Sequence, residues 1–306
     1  MAETPPAAAR PFDPIAAAAA LRRLAREPKA PWLHGEVARR MGERLAIIRL
    51  QPGLVLDWWG FLGAGAEVLE QAYPKARRVV VEPDEGSQAR SRAAAERPWW
   101  SARNWGRAAV EVLAEDGAIP AAAQLVWANM MLHLVADPPA LFARWERLLG
   151  IDGFVMFSCL GPATLRELRD LYARSGWPAP TAAFIDMHDL GDMLVQAGFA
   201  DPVMDQETLT LRWDNPGALL AELRRLGGNI APERIAGLRT PRWREKLERE
   251  LDAMRGPDGK IGLGFEVAYG HAFKAAPRLR ADVPTTVSLD DMRAMIRSSR
   301  VSRPKS

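Results

Sequence analysis

The most constraining feature of the chain is one short unit: apolar strand, glycine-containing loop, helix, apolar strand, acid. Leu54-Val55-Leu56-Asp57 is a brief apolar run that follows the break at Pro52-Gly53. Such a run, bounded by turn residues, suits a parallel strand buried on both faces. The loop Asp57-Trp58-Trp59-Gly60-Phe61-Leu62-Gly63-Ala64-Gly65 leads into a segment closed by Pro74, and Arg78-Val79-Val80-Val81-Glu82 forms a second buried strand ending in an acid. Leu125 to Asn129 and Gly153 to Phe157 repeat the strand pattern, with a helical stretch from Leu141 to Leu149 between them that Gly150 stops. Strands alternating with helices at this spacing predict a right-handed crossover α/β sheet covered on both faces.

The same unit raises a functional question. In nucleotide-binding α/β folds, a glycine loop after the first strand lets backbone N–H groups approach a ligand, and the acid ending the second strand accepts hydrogen bonds from a ribose. Glu82 follows Gly63 at close to the ~20-residue separation such sites show. A tight turn and a solvated strand-end acid would give the same spacing with no ligand.

Charge narrows the partners. Of 41 basic and 38 acidic residues, eight and three respectively fall from Lys274 onward, so residues 1–273 hold 33 against 35, a net −2. The pI of 9.2 is therefore a property of the tail, and bulk charge does not mark the body as a nucleic-acid-binding face. One cysteine excludes a disulfide framework. No apolar run reaches the ~18 residues of a membrane span, and Met1 to Pro14 lacks the basic start and apolar core of a signal peptide. A cytoplasmic protein without membrane association is expected.

Helix signals are clean elsewhere. Leu33, Val37, Met41 and Leu45 recur every four residues in an amphipathic stretch from Trp32 to about Ile48. Pro162, Pro216 and Pro241 read as first-turn prolines, and Gly198, Gly227-Gly228 and Gly256 as stops. From Ile261 to Phe273 apolar residues alternate strictly, marking a strand with one face in the core. His271 lies on that apolar register and reads as a core histidine. His133 and His188 read as loop and helix-start residues, and Cys159 as packing. Asp186, Asp189 and Asp192 are read as helix-start electrostatics, not a calcium loop. No metal site is expected. A lead-in over 1–31, a body over 32–273 divided near residue 160, and a basic tail over 274–306, with a short helix around Leu289 to Ile296, complete the organisation.

The order of these motifs resembles the class I S-adenosylmethionine-dependent methyltransferases, and within them the malonyl-[acyl-carrier-protein] O-methyltransferases of biotin synthesis. The segments that carry it are Trp127-Ala128-Asn129-Met130-Met131-Leu132-His133, Phe157 to Arg169, Asp186-Met187-His188-Asp189-Leu190-Gly191-Asp192, Gly198 to Asp205 and Tyr269-Gly270-His271-Ala272-Phe273. The resemblance implies a Rossmann-like three-layer sandwich around a mostly parallel sheet of seven strands, the last antiparallel, with extra C-terminal helices. It implies S-adenosylmethionine as cofactor and malonyl-acyl-carrier protein as partner and methyl acceptor. Glu82 would hold the ribose hydroxyls, Asp57 and its loop would lie beside the methionine portion, and Asn129 would line the methyl-donor pocket. An acid after the third strand is expected too, with Glu115 and Asp116 as candidates. The family places glycine at alternating positions after the strand acid. Here those positions hold Trp59, Phe61 and Gly63; a shifted register brings in Gly60, Gly63 and Gly65 instead. The two aromatics motivate a second reading, a methyltransferase fold kept for binding or assembly without turnover. The basic tail suggests a third, weaker one, nucleic-acid binding. No catalytic base is identifiable.

Overall fold

A computed structural model of the chain describes residues 13–96, 110–235, 237 and 239–276. The chain divides after Ala275, and the fold below is that of the larger unit. The Leu289–Ile296 helix and nearly all of the basic tail lie outside the described residues.

In chain order the elements are α1 (Pro14–Leu24), α2 (Trp32–Leu45), β1 (Leu54–Trp58), a single turn α3 (Gly60–Gly63), α4 (Ala66–Ala72), β2 (Arg77–Glu82), α5 (Glu85–Ala95) and β3 (Val110–Ala114). They continue with β4 (Ala123–Ala128), a 3-10 turn at Leu132–Leu134, α6 (Pro138–Leu148), β5 (Leu149–Leu160), α7 (Arg166–Arg174), α8 (Met187–Gln196), β6 (Phe199–Trp213), α9 (Pro216–Arg225), α10 (Pro241–Asp252) and β7 (Ile261–Lys274).

The strands form one seven-stranded sheet in the order β3-β2-β1-β4-β5-β7-β6. β1 pairs in parallel with β2 and β4, placing Asp57 beside Val80 and Trp127. β7 runs antiparallel to both β5 and β6. Side-chain alternation sends Leu56, Trp58, Val79 and Val81 to one face, under α1, α6 and α8. Val55, Leu125, Trp127 and Phe154 go to the other, under α2, α4, α7, α9 and α10. The result is the Rossmann-like three-layer sandwich of class I methyltransferases, as the resemblance implies. The Ala16–Ala20 run is part of α1, whose Ala16, Ala20 and Leu24 are buried in the first of these cores.

Helix starts obey local chemistry. Asp137, Asn215 and Thr240 each cap a helix whose first turn carries proline, and Asp186 caps α8 through the His188 N–H. The third strand that the resemblance implies before Glu115 and Asp116 is β3, half-buried along its length at the sheet edge. Three expectations need correction. α6 ends before Leu149, which is already extended and pairs with Ala123, so Gly150 belongs to a strand and stops no helix. Pro162 precedes a turn rather than opening α7: Leu165 takes a left-handed φ of 54° and donates its N–H to Gly264 O, which delays the helix to Arg166. β7 is buried on both faces through Val267–Gly270, because Ala268 is small and Gly270 leaves room for the Phe157 ring, while His271 is only half-buried.

Candidate active site

The carboxyl ends of β1 and β2 bring Asp57 and Glu82 together beside the sheet's reversal point, where open α/β sheets bind ligands. Both side chains are buried: Asp57 is 1% exposed and Glu82 0%. Glu82 Oε1 accepts from the Phe61 N–H at 2.8 Å and the Ser91 hydroxyl at 2.6 Å. Asp57 Oδ2 lies 3.7 Å from the Arg78 guanidinium. Their other oxygens, Asp57 Oδ1 and Glu82 Oε2, have no hydrogen-bond partner among the described residues. Burial pushes the Glu82 carboxyl up to about 8, against the pull of its two hydrogen bonds. Burial likewise raises Asp57 to about 6, opposed by Arg78.

The loop that covers this pair is held by its own residues. Trp59 and Ala64 bracket α3 with left-handed φ values of 54° and 50°. The strained positions thus fall on side-chain-bearing residues, and the glycines serve close packing. A Cβ on Gly60 would sit 2.8 Å from Asp57 Oδ2, and one on Gly65 would sit 2.4 Å from Trp127 Nε1. Gly63 leaves ordinary contact distance to Asn129. Trp59 N donates to Val81 O at 2.6 Å, and its indole Nε1–H reaches Glu115 Oε2 at 2.8 Å. Of the two acids considered after β3, Glu115 therefore faces the site, and its partner is Trp59. Trp58 points the other way, into the core, edge-on to Trp145 at 5.8 Å.

Asn129 is fully engaged. Its Nδ2 donates to His34 O and Gly63 O at 2.8 and 2.6 Å, and its Oδ1 accepts from the Ser158 hydroxyl at 2.6 Å. It ties α2, the loop and β5 together. His34 completes this bracket, yet sequence reasoning passes over it. Its Nδ1–H donates to Leu62 O at 2.8 Å, and burial lowers its pKa to about 4, so the ring is neutral. The signal was available: His34, Ala38, Met41 and Leu45 share one buried helical face.

Asp57, Gly60, Gly63, Gly65, Glu82 and Asn129 thus converge on one place, around two carboxylate oxygens that lack donors among the described residues. Unpaired buried acceptors of this kind favour a ligand rich in O–H and N–H groups, so the acceptor set suits the ribose hydroxyls and ammonium of S-adenosylmethionine. No three His, Cys, Asp or Glu are placed to hold a metal among the described residues.

A second concave region lies close by. The segment that starts at Asn129 continues into the 3-10 turn, whose His133 and Leu134 line a cavity of 380 Å³. Apolar side chains from α7, α9 and β7, among them Leu168, Leu223 and Phe265, form its walls, and Arg23 and Arg224 contribute guanidinium groups to its lining.

No protein-family model matches the chain. In structure it is similar to the YcgJ protein of Bacillus subtilis, with a TM-score of 0.53 and 12% identity over 78% of this chain and 99% of the other. A Bacillus halodurans protein gives 0.51 and 15% over 78% and 100%. These two likenesses concern the fold. In sequence, the malonyl-[acyl-carrier protein] O-methyltransferase of Gallionella capsiferriformans is 39% identical over 255 residues, 82% of this chain and 87% of the relative. That of Laribacter hongkongensis is 37% identical over 281 residues, 90% and 92% of the two chains. With that identity across most of both chains, and with the strand-end acids, the Asn129 segment and the antiparallel last strand in place, the chain belongs to the malonyl-[acyl-carrier protein] O-methyltransferase family.

Proposed function

We propose that this chain methylates the free carboxylate of a malonyl group carried on acyl-carrier protein, using S-adenosylmethionine. The observation that carries the proposal is the pair Asp57 and Glu82, adjacent at the ends of β1 and β2, each with a buried oxygen that lacks a donor among the described residues. The names of the sequence relatives supply the acceptor.

When bound, S-adenosylmethionine supplies an electrophilic methyl group on a positively charged sulfur. Glu82 would accept hydrogen bonds from its ribose hydroxyls and Asp57 from its ammonium group. Ligation of this kind favours the ionised carboxylates and opposes the burial that raises both pKa values. A malonyl carboxylate is already ionised at neutral pH, so no protein base is required. The protein contributes position and exclusion of water. Asn129 fixes the loop against β5, and the residues that follow it lead to the cavity at His133.

Equilibrium dialysis with S-adenosylmethionine, followed by methyl transfer from labelled donor to malonyl-acyl-carrier protein, tests the proposal. Saturable binding and labelled methyl ester are expected. Absence of binding at millimolar donor sinks it. The Trp59–Glu115 and Phe61–Glu82 bonds favour the second reading, a binding or assembly protein without turnover. Rescue of a biotin-requiring strain that lacks its own methyltransferase eliminates that alternative.

A further inference from the structure

The cavity beside His133 is bordered by an uneven distribution of charge. Arg22 and Arg23 stand in the last turn of α1, with Arg26 just beyond it, and Arg224 and Arg225 stand in the last turn of α9. All five are exposed, and none has an ion-pair partner among the described residues. The two helix ends are joined: Arg23 donates to Gly227 O at 2.5 Å, and Leu24 lies against Gly227. Arg23 and Arg224 line both the cavity and a shallow groove that Arg225 and Glu27 also border. Helix macrodipoles account for a cation or two at each C-terminus. They do not account for the convergence of two such ends on one apolar cavity.

We infer that this arginine rim docks the acidic surface of the acyl-carrier protein and that the cavity behind it receives the carrier's malonyl-thioester arm. The inference rests on the acceptor proposed above. The cavity volume of 380 Å³ falls within the range of roughly 300–1,000 Å³ found for small-molecule sites. Its lining divides as such an arm does. Leu168, Leu220, Leu223 and Phe265 suit the aliphatic stretches, Thr181 offers a hydrogen bond to an amide, and the exposed guanidinium groups suit the phosphate that joins the arm to its carrier. Thr181 Oγ1 is buried with no partner among the described residues, so a bound amide would satisfy it. Unpaired exposed arginines are what an acidic partner requires for steering and register. The body's slightly negative net charge makes their clustering the more specific.

Steady-state kinetics on two acceptors separates the parts. Malonyl-acyl-carrier protein presents surface, phosphate and arm; malonyl-pantetheine presents the arm alone. Joint Arg224→Glu and Arg225→Glu replacement is expected to raise KM for the carrier protein about tenfold, with a steep salt dependence in the unmodified chain that the variant loses. KM for malonyl-pantetheine should not move. Leu223→Trp, which fills the cavity, is expected to raise KM for both acceptors while leaving the dissociation constant for S-adenosylmethionine unchanged. Charge reversal that leaves the carrier KM unaltered overturns the inference, as does equal loss on both acceptors. An effect obtained only by removing residues 277–306 overturns it also, because the dock would then be the tail. If the chain binds donor yet methylates neither acceptor, the functional proposal has failed. Calorimetric titration of holo-acyl-carrier protein into wild type and the charge-reversed variant then judges the rim by itself, and equal affinity sinks it.

Discussion

The Asp57–Glu82 site and the cavity beside His133 are built on opposite principles. Around Asp57 and Glu82 every neighbour is close: Gly60 and Gly65 sit where no Cβ fits, and Asn129 spends all its polar capacity on the protein. Around His133 the walls come from separate helices, and a cavity of 380 Å³ remains between them. The first region is specified by backbone approach, the second by what the helices leave open. A centre that must place two buried carboxylates tolerates little; a cavity for a long, flexible arm tolerates much.

The largest expected effect breaks that contrast directly. Gly65→Ala forces a methyl group into the buried Trp127 ring and should cost about 3 kcal/mol in chemical denaturation. Leu223→Ala, in the cavity wall, should cost under about 1 kcal/mol, since its side chain is only partly buried. Similar losses for both would erase the distinction.

Next in size is Glu82→Ala. Losing acceptor bonds from an ionised carboxylate should weaken S-adenosylmethionine binding by about 10- to 100-fold in calorimetry. Replacements in the cavity wall should leave that constant alone. A donor affinity unaffected by Glu82→Ala would falsify its assignment to the ribose.

The pH dependence follows from burial. Glu82 holds its proton to about pH 8 in the folded chain, against 4.5 for the free group. Between those values the folded state binds the extra proton, so stability falls as pH rises. Asp57 adds the same sign over the shorter interval from 3.8 to about 6. Denaturant midpoints should therefore decline from pH 5 to pH 8, and Glu82→Gln should flatten the upper part of that slope. A midpoint that climbs over this interval contradicts the sealed character of the site.

Trp59→Phe has a smaller effect than the Gly65 and Glu82 replacements. It keeps an aromatic ring, though a smaller one, and removes the Nε1–H bond to a partly exposed Glu115, for an expected loss of about 1 kcal/mol. A loss several times larger would mean that the packing of the indole, more than its hydrogen bond, closes the loop.

The legible parts of this molecule are those whose cause is local. β1, β2 and the two strand-end acids follow from apolar runs between turn residues, and the starts of α9 and α10 follow from Asn215-Pro216 and Thr240-Pro241. β3 is legible only through the acid that follows it, because an edge strand half-buried along its length carries no alternating burial pattern. The delayed start of α7 depends on a hydrogen bond from Leu165 to Gly264, almost a hundred residues away. The same holds at the site. Asp57 and Glu82 can be found from sequence, but the bracket of Asn129, His34 and Ser158 exists only once α2 and β5 have been brought to the loop. The cavity is still less visible, since α1 and β7 give it one side chain each and α7 and α9 two or three.

The position of β7 bears on how the chain is made. It is almost the last described segment in sequence, yet it lies inside the sheet, between β5 and β6. During synthesis β5 and the 15-residue β6 emerge with no strand between them. An unpaired edge of that length is an open template for pairing with other chains. The sheet can close only after β7 has emerged as far as Lys274, and the nascent chain relies until then on whatever shields that edge.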